Sequence, residues 1–166
     1  MPPFGKSVGG LSLTAPSPCE LQLTRTFLAP RNLVFDCWTK PDLVKTWLTG
    51  PDGWSMQTCT IDLTLGGAYR YEWRNRDGYV MGLSGTFTDI VPPERLVSEE
   101  VFDEDWTGGP ARNTIAFTEA GGATRYTHTI TYVSEAARDA AVATGMADGM
   151  EAGFAKLDIL LANGKP

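Results

Sequence analysis

A series of alternating segments in the middle of the chain constrains the fold more than any other feature. In each segment apolar residues alternate with polar ones, which is the pattern of a strand that buries one face. Glycine or proline pairs separate most of the segments, and Asp77-Gly78 indicates a hairpin with a type I′ turn. The sequence therefore predicts a long antiparallel meander. Its six strands are predicted over residues 58–63, 69–74, 79–90, 95–102, 112–118 and 124–133.

Further elements flank this meander on both sides. Residues 20–27 alternate as a first strand, and Pro30 and Pro41 each stand where a short helix can begin. After Ser134 the chain is rich in alanine, and an apolar stripe recurs every three or four residues up to Ala162. This stripe predicts one long amphipathic helix. It consists of Met146, Met150, Phe154, Leu157 and Leu161.

Together these elements predict an α+β fold. A curved antiparallel sheet of about seven strands would wrap on the long C-terminal helix, because each apolar face needs another to cover it. Two short helices would follow the first strand. Residues 1–18 contain four prolines, three glycines and three serines without periodicity. We therefore expect residues 1–19 to form a flexible N-terminal arm that folding does not require, and residues 20–166 to form a single domain.

Charge and composition exclude several classes of partner. The net charge is −6, from 14 basic and 20 acidic side chains, and no block of Lys or Arg could neutralise a row of phosphates. No apolar run approaches the ~18 residues of a membrane-spanning helix. Cys19, Cys37 and Cys59 match neither a disulfide framework nor a zinc site. We expect a cytoplasmic protein without a metal or cofactor and without nucleic acid as a partner, and the sequence leaves homodimer formation open.

His128 is the single histidine of the chain, and therefore the one side chain that ordinarily titrates near neutral pH. By alternation it shares a strand face with Tyr126, Ile130 and Tyr132, which is the face that would point at the long helix. A histidine in a cavity beside tyrosines could bind a carbonyl group or act as a general base. A hydrogen-bonded polar residue of the core would show the same pattern.

Two other patterns have a structural and a functional interpretation. Gly145, Gly149 and Gly153 repeat every four residues along the predicted helix, so that either the helix approaches the sheet closely or the missing side chains leave room for a ligand.

Five carboxylates lie within residues 99–105, where clustered oxygen ligands could hold a divalent cation. The spacing of these carboxylates matches no calcium loop, which favours a solvated acidic loop. They are Glu99, Glu100, Asp103, Glu104 and Asp105.

Several short strings, in their order along the chain, resemble the family named after the homologue of the heat-shock-protein-90 ATPase activator, within the START-like superfamily. They extend from about Leu21 to Leu161. The sequence departs from this family at two places: Thr64-Leu65 stands where relatives often have an arginine followed by proline, and Lys40 stands where an acidic or Asn residue often caps the second helix. The first departure removes a possible buried positive charge and so weakens an analogy with relatives that bind acids. The matching strings are Arg25 with Ala29-Pro30, Val34-Phe35 with Trp38, Pro41 with Trp47, Gly66-Gly67 before an aromatic strand, Ile90 with Pro92-Pro93-Glu94-Arg95-Leu96, and Gly145-Met146 with Gly149.

The resemblance implies a helix-grip fold in which the C-terminal helix and the sheet enclose a cavity. It implies a binding module for a small apolar or amphipathic ligand such as a lipid, or an enzyme of the polyketide-cyclase or hydrolase type that uses the same cavity. The family name alone suggests a third reading, a co-chaperone-like module that binds a large ATPase. No catalytic residue can be transferred from the family. The candidates for the cavity wall are Tyr69, Tyr71, Trp73, Tyr126, His128, Met146, Met150 and Phe154.

Overall fold

The structure, a computed structural model, describes residues 6–105 and 107–163, and these residues form one antiparallel sheet of nine strands with four helices. The spatial order of the strands is β1-β2-β3-β9-β8-β7-β6-β5-β4. The strands are β1 Lys6–Val8, β2 Leu11–Thr14, β3 Glu20–Phe27, β4 Trp54–Ile61, β5 Ala68–Asn75, β6 Val80–Val91, β7 Arg95–Phe102, β8 Ala111–Ala120 and β9 Ala123–Thr131. The helices are α1 Arg31–Thr39, α2 Pro41–Trp47, α3 Glu135–Ala143 and α4 Met146–Ala162.

The predicted meander is confirmed, since its six segments form β4 to β9 and each strand pairs with the next one along the chain. The turn between β5 and β6 differs from the predicted type I′ turn. Gly78 has a positive φ of 84°, whereas Asp77 has a negative φ. The Asn75 side chain explains the difference, because its Oδ1 accepts hydrogen bonds from the backbone N–H groups of Asp77 and Tyr79 and so stabilises a longer loop.

The prediction of an N-terminal arm that does not pack is wrong for residues 6–14, which form the hairpin β1–β2. The pairing of β2 with β3 adds two strands to the predicted seven. Leu11 and Leu13 of β2 are only 1% and 3% exposed. Residues 1–5 of the predicted arm lie outside the described residues.

The predicted single C-terminal helix is interrupted between α3 and α4. The Ser134 side chain caps α3 by accepting a hydrogen bond from the Ala137 N–H at 3.0 Å, as the sequence predicts. Gly145 then adopts a left-handed conformation with φ 78°, which ends the first helix and begins the second. The left-handed conformation is accessible to glycine without steric cost, so that the chain changes direction here. Only α4 presents the predicted stripe to the core, with Phe154, Leu157 and Leu161 buried.

An aromatic cluster joins α4 to the concave face of the sheet. The Phe154 ring of α4 lies in edge contact with the rings of Phe27 and Tyr126, at 5.5 and 5.3 Å between centroids. Trp38 of α1 stacks on Tyr126 at 5.0 Å. The Trp47 indole of α2 donates a hydrogen bond to the carbonyl oxygen of Cys37 at 2.8 Å. The core therefore fills the space between the concave face and helices α1, α2 and α4.

Arg25 of β3 attaches α4 to the sheet by two bidentate ion pairs. Its guanidinium contacts both carboxylate oxygens of Glu151 at 2.8 and 2.9 Å, and both of Asp158 at 2.8 Å. It also lies over the Phe27 ring, 5.0 Å from the centroid. Arg25 is only 7% exposed, and these two carboxylates raise its pKa against the opposing effect of burial. The pairs fix the position of the helix along the strand.

Two of the three cysteines are packing residues. Cys37 and Cys59 are buried as free thiols, and burial raises their pKa values to about 12 and about 11. Both thiols are therefore protonated at neutral pH and unreactive.

Within residues 6–105 and 107–163, none of the helices has the length and apolar character to cross a lipid bilayer.

The glycines of α4 occupy two different environments, which predicts opposite effects of substitution. A Cβ at Gly149 would meet no atom within 4 Å, whereas one at Gly153 would lie 3.1 Å from the backbone oxygen of Trp47. Gly149 is exposed, so the interpretation of the whole strip as facing the interior is wrong. We expect Gly149→Ala to stabilise the protein by up to about 1 kcal/mol, the difference in helix propensity. Gly153→Ala should gain less or destabilise, which urea unfolding of the two variants would measure. Equal stabilisation by both would contradict a close approach at Gly153.

Candidate functional site

A row of polar side chains crosses the concave face of the sheet beneath the helices. Sheet register places Tyr69 opposite Gly85, Gly85 opposite Glu100, Ser98 opposite Asn113, and Ile115 opposite His128, all on the side of the apolar core. Hydrogen bonds divide this row into two groups. We refer to its six members as the polar row: Tyr69, Ser98, Glu100, Asn113, Tyr126 and His128.

The first group is a chain of three side chains centred on His128. The Asn113 amide nitrogen donates to the carbonyl of Ala111 at 3.5 Å, which leaves its Oδ1 to accept a hydrogen bond from His128 Nε2 at 2.6 Å. His128 Nδ1 then accepts from the Tyr126 hydroxyl, also at 2.6 Å. Both ring nitrogens are therefore occupied in the neutral form of the histidine.

The neutral form of His128 is expected to persist far below neutral pH. Burial lowers the pKa of His128 to about 3, whereas an unfolded chain binds this proton near pH 6.5. The stability that the neutral ring contributes is complete above pH 6.5 and is lost as the pH falls towards 3. Because the chain has one histidine, NMR of the imidazole resonances can follow it directly. We expect no titration between pH 8 and about 5, and a midpoint near 6.5 would contradict the buried geometry.

The second group is a chain of donors that ends at Glu100. The Tyr69 hydroxyl donates to Glu100 Oε2 at 2.6 Å, so its oxygen accepts the hydrogen of Ser98, 2.9 Å away. The ring of Tyr69 lies directly over Gly85, where a Cβ would come within 2.0 Å of it. Glycine at this position therefore allows the tyrosine to cross strand β6 and reach the carboxyl group on β7.

Partly exposed side chains mark where the interior can be reached from outside. Glu100 is partly exposed, and so is Tyr71, whose hydroxyl forms no hydrogen bond within the part of the chain that the structure describes. Burial and then the charge of Glu100 raise the pKa of Tyr71. Other partly exposed side chains that pack against the core include Ala111 and Ile115 of β8 and Met146 and Met150 of α4. Of these, Ala111 lies directly opposite Glu100 in the sheet.

The predicted cavity residues occupy three different environments. Tyr69, Tyr126 and His128 belong to the polar row, while Tyr71, Met146 and Met150 lie at the partly exposed boundary. Phe154 is buried in the aromatic cluster. Trp73 packs in a separate cluster with Val44, Met56, Cys59 and Leu83, and its indole donates to the carbonyl of Leu48 at 2.9 Å. The role of the eight residues in ligand binding stays a prediction.

Three members of the polar row were not identified from the sequence as site residues. The run of acidic residues favours a solvated loop for Glu100, and the sequence pattern gives no functional prediction for Ser98 or Asn113. Alternation within residues 95–102 indicates that Glu100 faces the interior, because it shares a strand face with Leu96 and Ser98. The other acidic residues do lie outside the core: Asp103 pairs with Arg70, and Glu104 accepts a hydrogen bond from Tyr79. Over the described ranges, no three His, Cys, Asp or Glu side chains are arranged to hold a metal ion.

Two depressions that are open to solvent lie away from α4. One, of about 480 Å³, is lined by residues 40–43 at the start of α2. The other, of about 310 Å³, is lined mainly by residues of β6 and β7, which include Gly85 and Glu100.

Comparison with known proteins identifies the family and the fold. A crystal structure of a Rhodobacter sphaeroides protein is similar at 31% identity and TM-score 0.87, over 92% of this chain and 99% of the other. A solution NMR structure from Arthrobacter aurescens is similar at 25% identity and TM-score 0.80, over 92% and 91% of the two chains. A crystal structure from Nitrosomonas europaea has 25% identity and TM-score 0.77, over 89% and 97%.

No curated protein matches this sequence. The family model described as activator of Hsp90 ATPase homolog 1-like protein matches residues 28–162, which include every member of the polar row. The chain therefore belongs to the activator of Hsp90 ATPase homolog 1-like family and has its helix-grip fold.

Proposed function

We propose that this protein is a cytoplasmic binding module that holds a small amphipathic molecule between α4 and the concave face of the sheet. The observation that carries the proposal is the polar row, which lies among the apolar side chains of the core. A ligand with an apolar body and one polar end suits such a surface, because small-molecule sites combine an apolar wall with a few polar groups that fix orientation. The family fold, which is typically a ligand-binding module, supports this proposal.

The boundary residues supply a way for the ligand to enter. Met146 and Met150 have flexible thioether side chains, which can change rotamer at low cost. The Tyr132 hydroxyl contacts the sulfur of Met146 at 3.8 Å, a weak hydrogen bond that such a change would break easily. Tyr71 would then present its hydroxyl, which lacks a partner among the described residues, to the incoming molecule.

Binding of Nile red, a neutral fluorescent dye, tests the location of the site. Ala111 and Ala116 both lie on β8, with Ala111 on the interior face and Ala116 on the outer face. We expect Ala111→Trp to weaken dye binding about tenfold or more, because the indole fills space at the boundary of the interior, and Ala116→Trp to leave it unchanged. Melting temperatures of both variants establish that they fold. Absence of dye binding, or equal binding by both variants, would contradict the proposal.

An enzyme of the polyketide-cyclase or hydrolase type remains the second candidate, and Glu100 is the observation that favours it. Burial raises the pKa of this carboxyl group, and a carboxyl that titrates closer to neutral pH can transfer protons in a reaction. His128 suits this role poorly, since its pKa of about 3 makes it a weak base. Mass spectrometry of a co-purified small molecule would separate the two functions. A mass that stays constant during incubation supports binding, whereas conversion that Glu100→Gln abolishes supports catalysis.

A further inference from the structure

Glu100 is an acidic group in the interior that no basic side chain neutralises. Among the residues that the structure describes, it forms no ion pair, and its recorded hydrogen-bond donor is the neutral Tyr69. The two buried arginines are already paired, Arg25 with Glu151 and Asp158, and Arg138 with neighbouring carboxylates of α3. A carboxylate away from water is unfavourable unless a cation or several donors compensate it. Accordingly, burial raises the pKa of Glu100.

The direction of the hydrogen bonds leaves one oxygen of Glu100 free to accept. Ser98 donates to Tyr69, and Tyr69 donates to Oε2, so that the chain of donors ends there. Oε1 has no donor within the described part of the chain, and the side chain is partly exposed. This oxygen is therefore available to a donor that enters from outside.

The surroundings of Glu100 are aromatic rather than basic. The Tyr69 hydroxyl donates to Glu100 at 2.6 Å, and the Tyr69 ring contacts the Tyr71 ring at 5.3 Å between centroids, so that aromatic side chains lie beside the carboxyl group. Aromatic faces stabilise an organic cation through their quadrupole, and the effect grows when water is excluded. A carboxylate with aromatic neighbours thus favours a cationic group and disfavours an anionic one.

We propose that the ligand of this protein carries a basic nitrogen that is held at Glu100, with its apolar part against Ile115, Met146 and Met150. The inference rests on the proposed binding function and specifies the class of ligand as an amphipathic amine. A ligand with a carboxylate head would be repelled by Glu100, and Arg25, the basic side chain on the interior face of β3, is already paired with Glu151 and Asp158.

Three probes with the same apolar body and different heads test the proposal: phenylbutylamine, phenylbutanol and phenylbutyrate. We expect the wild-type protein to bind the amine about tenfold or more tightly than the alcohol, and the carboxylate most weakly, measured by calorimetry or tryptophan fluorescence. Glu100→Gln keeps the shape of the side chain and an acceptor oxygen. It should bring the affinities for the amine and the alcohol to within about threefold of each other.

The control is Glu99→Gln, because Glu99 is the adjacent residue of β7 and lies exposed on the outer face. It removes the same charge from a protein whose net charge of −6 attracts any amine. This variant should keep the full preference for the amine. The inference is overturned if the wild-type protein does not prefer the amine, or if Glu100→Gln keeps the preference. In either case, binding of the alcohol would still support the proposed function. If neither Nile red nor any of the three probes binds, both proposals fail.

Discussion

A chain that lacks residues 1–15 is expected to lose about 3–6 kcal/mol of unfolding free energy, because it loses the burial of two leucines at about 1.5–3 kcal/mol each. Leu11 and Leu13 are 1% and 3% exposed, and Leu13 lies opposite Leu23 across the β2–β3 pair. Removal of the hairpin would also leave β3 as an exposed sheet edge. Urea unfolding of the full and shortened chains measures the difference.

Point substitutions within β2 provide the matched comparison for this truncation. Leu11→Ala and Leu13→Ala should each destabilise by about 2–5 kcal/mol, the usual cost of a cavity in a core. Thr14→Ala changes an exposed residue of the same strand and should stay within about 0.5 kcal/mol of the wild type. A shortened chain as stable as the full one would show that the hairpin does not dock, and would restore the expectation of a dispensable arm.

The strands of the meander could be predicted because their evidence is local. Alternation over about five to twelve residues, bounded by turn residues, identified β4 to β9 without knowledge of their partners. The hairpin could not be found this way. Strand β2 has four residues, and its two leucines become a buried face only because the edge of β3 is available for pairing. Similarly, an alanine-rich segment gives no local signal that Gly145 will adopt a left-handed conformation rather than continue the helix.

The polar row depends on sheet register, which the sequence did not reveal. Tyr69 and Ser98 are separated by 29 positions along the chain, and Asn113 and His128 by 15, yet each pair is hydrogen-bonded across strands. Glu100 shows how a local grouping can mislead. Five acidic residues close together resemble a solvated loop, but β7 continues to Phe102 and turns the Glu100 side chain inward while Glu99 points outward. Register therefore converts one member of a charge run into an interior group.

Arg25→Met is expected to destabilise the protein by about 3–5 kcal/mol, since removal of one partner from a buried ion pair leaves an uncompensated charge. Glu151 is the more affected carboxylate, because its side chain is 15% exposed, compared with 46% for Asp158, which water can solvate. The variant Arg25→Met with Glu151→Met removes the buried pair together and should recover most of the loss. Urea unfolding at neutral pH measures both variants.

Arg70→Met is the control that shows whether the loss of stability depends on burial of the arginine or on its number of ionic contacts. Arg70 also binds two carboxylates: Nη1 and Nη2 contact Asp103 at 2.7 Å, and Nη2 and Nε contact Glu72 at 2.9 and 3.2 Å. These contacts lie on the outer face, where the Arg70 side chain is 30% exposed. Exposed pairs of this kind contribute about 0–1 kcal/mol. If Arg25→Met and Arg70→Met destabilise equally, burial of Arg25 is not what makes its contacts with α4 strong. A different result is expected: Arg25→Met alone lowers the unfolding free energy, and the double variant regains most of it. That result would mean that the ion pair adds little net stability and acts mainly to position the helix over the interior.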